Sequence, residues 1–333
     1  MNALRIGICG CGRLAELGYV PALRELEAIR VDALADPDPE RVGALAGSLE
    51  RGGSAPRLYR GAEEMLAAGG LDGLIVATPP DRHLDDARAA AAAGIVALVE
   101  KPPARDLAAA LALAALDPQP LVAFNRRYAL LGSVRDTLGP DPGDGLALDL
   151  ALRYRRRSWR AVSVDDDALL DIGPHLIDLA SWVSGLRPAA VRAPIVEPER
   201  AELELRLEAG RASARLSLAT DSRHHERAVA TRGGHRVAVV RSPGVVRNLA
   251  ARLRPAPHPL VASLRDVVLA YAGVLRGEGR GRLADAGEAA RTMAVIDAAR
   301  ASAASHGGWV EVAAVDTPGD AGGNRGRGRR GAA

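Results

Sequence analysis

Between residues 4 and 124 the chain repeats one pattern, and that pattern restricts its fold more than any other feature. Short apolar runs at 4–9, 31–35, 74–77, 96–99 and 121–124 alternate with helically spaced stretches at 14–29, 39–49, 83–93 and 104–116. Runs of this length are strands buried on both faces, and a helix between consecutive strands makes them parallel. The spacing therefore predicts an open parallel sheet with helices on both sides. Pro21 lies inside the first helical stretch and predicts a kink there. Apolar residues make up 48% of the 333 and aromatics only 3%, so the core must be built from Ala, Leu and Val.

The pattern changes after residue 125. A helix is predicted over 128–138, followed by the turn-rich "GPDPGDG" and the alternating run "LALDLALRYRRR". Beyond a helix around His175, strand patterns follow at 190–196, 201–207, 212–218, 226–231 and 235–241. "EAGR" and "RGGH" supply hairpin turns, which makes this sheet mainly antiparallel. Helices are predicted at 259–275 and 285–306, with a short strand at 309–312. The expected division is residues 1–125, 126–313, and a Gly/Arg tail from 314 to 333.

The last ten residues carry four arginines and no acid; without them the formal charge of +3 becomes −1. The basicity thus belongs to a segment too polar to bury, and no nucleic-acid partner is expected. The arginines of "RYRRRSWR" suit either the phosphates of a sugar nucleotide or a solvated edge strand. No apolar stretch is long enough for a membrane span, no signal peptide is read, and a cytoplasmic protein is expected. Cys9 and Cys11 are too close for an ordinary disulfide and too few for a structural zinc site, so no metal is assigned.

Those cysteines sit in "RIGICGCGRLAE". Gly10, Gly12 and Ala15 match the G-x-G-x-x-A dinucleotide fingerprint, here between a predicted strand and a predicted helix. Gly10 would permit the tight turn, and Gly12 would let the backbone approach a pyrophosphate at the helix N-terminus. Asp36 ends the second strand, where an acid hydrogen-bonds the ribose hydroxyls and favours NAD; Arg41 nearby keeps NADP possible. Gly7, Cys11, Arg13 and Leu14 complete the candidate cofactor contacts of the loop.

Asp171, His175 and Asp178 share one helical face. Oxidising a carbinol requires a base for its proton, and His175 has the right ordinary pKa, with Asp171 able to orient it. Lys101, at the end of a strand, could polarise the substrate oxygen.

"VATPPDRHLDDARAAAAAG" at 76–94, "VEKPPA" at 99–104, "VAFNRRY" at 122–128 and "DIGPHLID" at 171–178, together with the glycine loop, resemble the glucose–fructose oxidoreductase/inositol dehydrogenase (Gfo/Idh/MocA) family. The resemblance implies an NAD(P)-dependent oxidoreductase with an N-terminal Rossmann domain (a doubly wound parallel sheet) and a C-terminal α+β domain whose open-faced sheet packs homodimers or homotetramers. It implies a sugar, cyclitol or related substrate whose secondary alcohol or ketone meets Lys101 and His175, assisted by Asp171. Thr78, Pro79 and His83 would line the cofactor, Glu100 would lie under the nicotinamide edge, and the Lys101–Pro102 peptide is often cis. Arg127, Trp159 and Asp178 are the candidate substrate contacts. Relatives carry a Gly-Gly run where this chain has Asp165, Asp166 and Asp167. Two other activities occur in the family: a non-catalytic NAD(P)-binding regulator and an NAD-assisted glycosidase.

Overall fold

The computed structural model describes residues 3–49, 55–139, 144–156, 166–242 and 258–316. The first sheet contains β1 (Leu4–Cys9), β2 (Ile29–Ala35), β3 (Arg57–Tyr59), β4 (Gly73–Val76), β5 (Ala97–Val99) and β6 (Leu121–Val122). These six strands are parallel, as the repeated pattern requires. β4, β5 and β1 from Ile6 onward have almost no accessible surface, which explains their apolar sequences there.

The second sheet comprises β7 (Leu146–Arg155), β8 (Pro188–Glu197), β9 (Arg200–Leu207), β10 (Ala212–Ala219), β11 (Asp221–Arg232) and β12 (His235–Arg241). Its order is β12-β11-β7-β10-β9-β8-β14, with the two-residue β14 (Val310–Glu311) at the edge. All its pairs are antiparallel except β7 with β10. Gly233 and Gly234 turn the β11–β12 hairpin with φ of 52° and 84°, a conformation open to glycine. β7 runs between β10 and β11, so its arginines do not decorate an edge strand.

Two late segments return to the first sheet. β13 (Ala284–Asp285) pairs antiparallel with β6 and opens the sheet order β13-β6-β5-β4-β1-β2-β3. Helix Pro259–Leu275 packs Val261, Leu264, Val267, Val268 and Tyr271 into the same core as Ile6, Ile8 and Ile75. The Tyr271 hydroxyl accepts from Leu74 N at 2.9 Å, and a Cβ on Gly73 would lie 2.6 Å from it. Gly73 therefore makes room for a tyrosine far along the chain.

The first helix differs from the expected 14–29 stretch. It widens into a π-turn at Ala15–Tyr19, continues over Val20–Arg24, and Ile29 already belongs to β2. Pro21 offers no N–H to the preceding turn, and the Val20 N–H reaches back to Ala15 O. The helix expected over 128–138 is broken into 3-10 turns at Asn125–Tyr128 and Leu130–Gly132 before Ser133–Leu138. A Cβ on Gly132 would stand 2.2 Å from Arg127 O, so the chain folds back on itself there.

Candidate active site

The glycine loop follows β1 and opens the first helix. Gly10 has φ of 95°, and a Cβ on it would come within 2.5 Å of the Ala77 backbone. Around Gly12 a Cβ would meet nothing within 4 Å, which leaves the open approach that a pyrophosphate needs. Asp36 is buried; its carboxylate accepts from Cys11 N at 2.8 Å and Asp38 N at 3.0 Å. These residues fit a dinucleotide. Arg13 is exposed and Leu14 half-buried beside the loop. Arg41 is turned to Asp38 at 3.1 Å. Gly7 lies in mid-strand, where a Cβ would meet Leu71 at 2.8 Å, so its role is packing beneath the loop.

The loops after β4 and β5 are tied together by His83. Its buried ring faces Thr78 O at 2.8 Å through Nε2 and Pro102 O at 3.0 Å through Nδ1, and burial lowers its pKa. The Thr78 hydroxyl donates to Asp86 at 2.7 Å, and Pro79 is exposed. Glu100 is buried; it accepts from the Tyr19 hydroxyl at 2.6 Å and from Lys101 N at 3.1 Å. Burial raises its pKa. The π-turn of the first helix carries Tyr19, a partner that sequence reasoning missed. The Lys101–Pro102 peptide is cis.

Lys101 then reaches the helix Ala168–Ser184. Asp167 caps that helix by accepting from Leu170 N at 2.7 Å, and Gly185 ends it in the left-handed conformation. Lys101 Nζ donates to Asp171 O at 3.1 Å and to Asp171 Oδ1 at 3.2 Å. The other carboxylate oxygen accepts from the Tyr154 hydroxyl and from Arg156 at 2.9 and 3.2 Å. Burial alone would raise the Asp171 pKa, but Lys101, Tyr154 and Arg156 outweigh it and lower it. Asp171 thus holds Lys101, where the sequence suggested that it would orient His175.

One turn on, His175 is buried and its Nδ1 has no hydrogen-bond partner. Burial, then the charges of Lys101 and Arg126, holds its pKa well below the ordinary value. Arg126 in turn pairs with buried Glu226 on β11. Neither Tyr154, Arg156 nor Glu226 was singled out from sequence. The first two lie in the arginine-rich run whose strand looked like an edge, and only the sheet order brings them to Asp171.

Asp178 makes a two-pronged pair with Arg127 at 2.5 and 2.9 Å, with both side chains almost wholly buried. This pair braces the junction segment against the helix. Trp159 and Asp165 lie outside the described residues. Asp166 pairs with Arg105 at 2.9 Å and Asp167 serves as the helix cap, so these two acids are built into the scaffold. Among the described residues no group of His, Cys, Asp and Glu could hold a metal, and no helix is long and apolar enough to cross a membrane.

A fingerprint loop, an acid at the end of the second strand and an α+β second domain define an NAD-binding Rossmann protein of two sheets. Residues 4–119 match the family described as "Oxidoreductase family, NAD-binding Rossmann fold" (GFO_IDH_MocA). The chain is 29% identical over 201 residues to the rhizopine catabolism protein MocA of Rhizobium meliloti, covering 58% of this chain and 61% of that one. To inositol 2-dehydrogenase of Leifsonia xyli it is 27% identical over 193 residues, 56% of each chain. The matches therefore span about three fifths or less of these curated relatives. The fold is shared with scyllo-inositol dehydrogenase from Lactobacillus casei, solved with NAD(H) and scyllo-inositol: TM-score 0.73, 16% identity, 94% of this chain and 100% of that one.

Proposed function

We propose that the protein is an NAD-dependent oxidoreductase that interconverts a secondary alcohol and a ketone on a sugar, cyclitol or related polyol. The observation that carries this reading is the bond from Lys101, at the end of β5, to Asp171, one turn from His175 on a helix of the second domain. The names of the relatives, inositol 2-dehydrogenase among them, support it.

When bound at the glycine loop, NAD supplies an acceptor for the carbinol hydride. The chain must then take the hydroxyl proton and stabilise the oxygen. His175, whose imidazole burial keeps neutral, takes the proton. Lys101 spends two N–H groups on Asp171 and retains a third for the oxygen. In the reverse direction the same two groups return the proton. NADP remains the second cofactor to compare, and a homodimer or homotetramer in the cytoplasm belongs to the same reading.

The test supplies NAD with a polyol panel, or NADH with keto-sugars, and follows nicotinamide absorbance. Lys101→Met and His175→Asn should each abolish turnover and leave NADH binding intact. Full turnover in both variants would sink the assignment.

A further inference from the structure

A short hydrogen-bonded chain joins the first helix to Lys101. Tyr19, fully buried at the end of the π-turn, donates its hydroxyl to Glu100 Oε1 at 2.6 Å. The other oxygen of Glu100 accepts from Lys101 N at 3.1 Å. Lys101 is thus held at both ends, its backbone by Glu100 and its Nζ by Asp171. The π-turn sets Tyr19 at an angle that a regular helix would not give it. Gly18, where a Cβ would lie 2.6 Å from Leu264, lets helix Pro259–Leu275 pack directly on that turn. Among the described residues, Tyr19 and Lys101 are the titratable groups that act on Glu100. Burial favours its neutral form, and both of them oppose that. Burial and the Glu100 charge hold the Tyr19 pKa well above the ordinary 10, so its hydroxyl remains a donor.

We infer that Tyr19 is a positioning residue for Lys101: its hydroxyl holds Glu100 as the anionic acceptor that seats the lysine backbone. This deepens the proposed dehydrogenase reading and rests on it. A backbone N–H can only donate, so Oε2 must remain an acceptor, and a proton added to Glu100 goes to Oε1. There it meets the Tyr19 O–H, which would have to turn away from its acceptor. The hydroxyl therefore makes protonation costly at the one oxygen where it could occur. As a carboxylate, Glu100 also keeps a negative charge beside the Lys101 ammonium. Tyr19 lies in the helix that the glycine loop opens, so the chain of bonds runs from the cofactor-binding helix to the end of β5.

Infrared difference spectra across pH report the Glu100 carboxyl, identified as the carbonyl band that Glu100→Gln removes. Tyr19→Phe keeps the buried ring, and its fold is verified by circular dichroism. At a given pH it should lower the ratio of carboxylate to carboxyl at Glu100 at least about tenfold. With NAD and a polyol that turns over, kcat should fall at least about tenfold, and further as pH falls, with KM and NADH affinity within about threefold of the parent. In a Glu100→Gln background the same substitution should cost less than about threefold. An unchanged carboxyl ratio overturns the inference whatever the turnover shows. So does an unchanged kcat, or a loss of about tenfold in the Glu100→Gln background. A shifted ratio in a protein that oxidises no compound upholds the inference and removes the dehydrogenase reading.

Discussion

Lys101 Nζ and Asp171 Oδ1, 70 positions apart in sequence, stand 3.2 Å apart where the end of a parallel strand meets a helix of the second domain. The Asp171 carboxylate makes no hydrogen bond to the His175 ring, so its effect on chemistry runs through the lysine. Asp171→Asn should lower kcat by about 10²-fold, the order of a displaced electrostatic group, with little change in NADH affinity. Tyr154→Phe should cost less, because Arg156 still holds the same oxygen. Steady-state kinetics with a cofactor titration separates the two effects.

His175 makes stability depend on pH with a definite sign. Burial, with Lys101 and Arg126, keeps the folded imidazole neutral well below its ordinary value of 6.5. The unfolded chain takes up a proton there as pH falls through that value, and the folded chain does not. Stability should therefore decline below pH 6.5 by up to about 1.4 kcal/mol per pH unit from this group. His175→Asn should flatten that portion of a melting-temperature profile. An unchanged slope would show that other groups produce it.

The two loop glycines should fail in opposite ways. Gly10→Ala places a Cβ 2.5 Å from the Ala77 backbone at a φ of 95°, and should destabilise by at least about 2 kcal/mol. Gly12→Val meets no protein atom near its Cβ and should alter stability by less than about 0.5 kcal/mol. Its cost falls on the cofactor: NADH affinity, read by fluorescence titration, should drop at least about tenfold.

Removing Asp178 leaves the buried Arg127 with Glu288 at 3.6 Å as its remaining carboxylate. Asp178→Ala should cost about 3 kcal/mol in urea unfolding. Replacing both partners, Arg127→Met with Asp178→Leu, should recover much of that loss.

Asp36 should set the cofactor preference. Arg41 is held by Asp38 and does not offset the acid. NADH should therefore bind at least about tenfold more tightly than NADPH, and Asp36→Ser should narrow the gap. Parallel titrations of the two cofactors decide it.

The parallel sheet was legible because its central strands β4 and β5 are buried on both faces and write that burial as continuous apolar runs. The helix Pro259–Leu275 was equally plain from its period. β3 and β13 were not, since two or three residues leave no period to detect. Lys101, Asp171 and His175 were visible as motifs, but not that Asp171 belongs to the lysine. That pairing depends on Tyr154 and Arg156 arriving from the middle of the second sheet, and strand order is a non-local property. The same holds for Arg126 and Glu226, 100 positions apart.

Because helix Pro259–Leu275 and β13 complete the first sheet, the ribosome makes part of the N-terminal layer almost last. A nascent chain that ends near residue 125 lacks the Tyr271 hydroxyl for Leu74 and the apolar cover over Ile6 and Ile75. Its β6 edge also lies bare until Ala284 and Asp285 emerge. The two halves are thus bound to mature together, and the early half passes through synthesis with an exposed flank that chaperones can recognise.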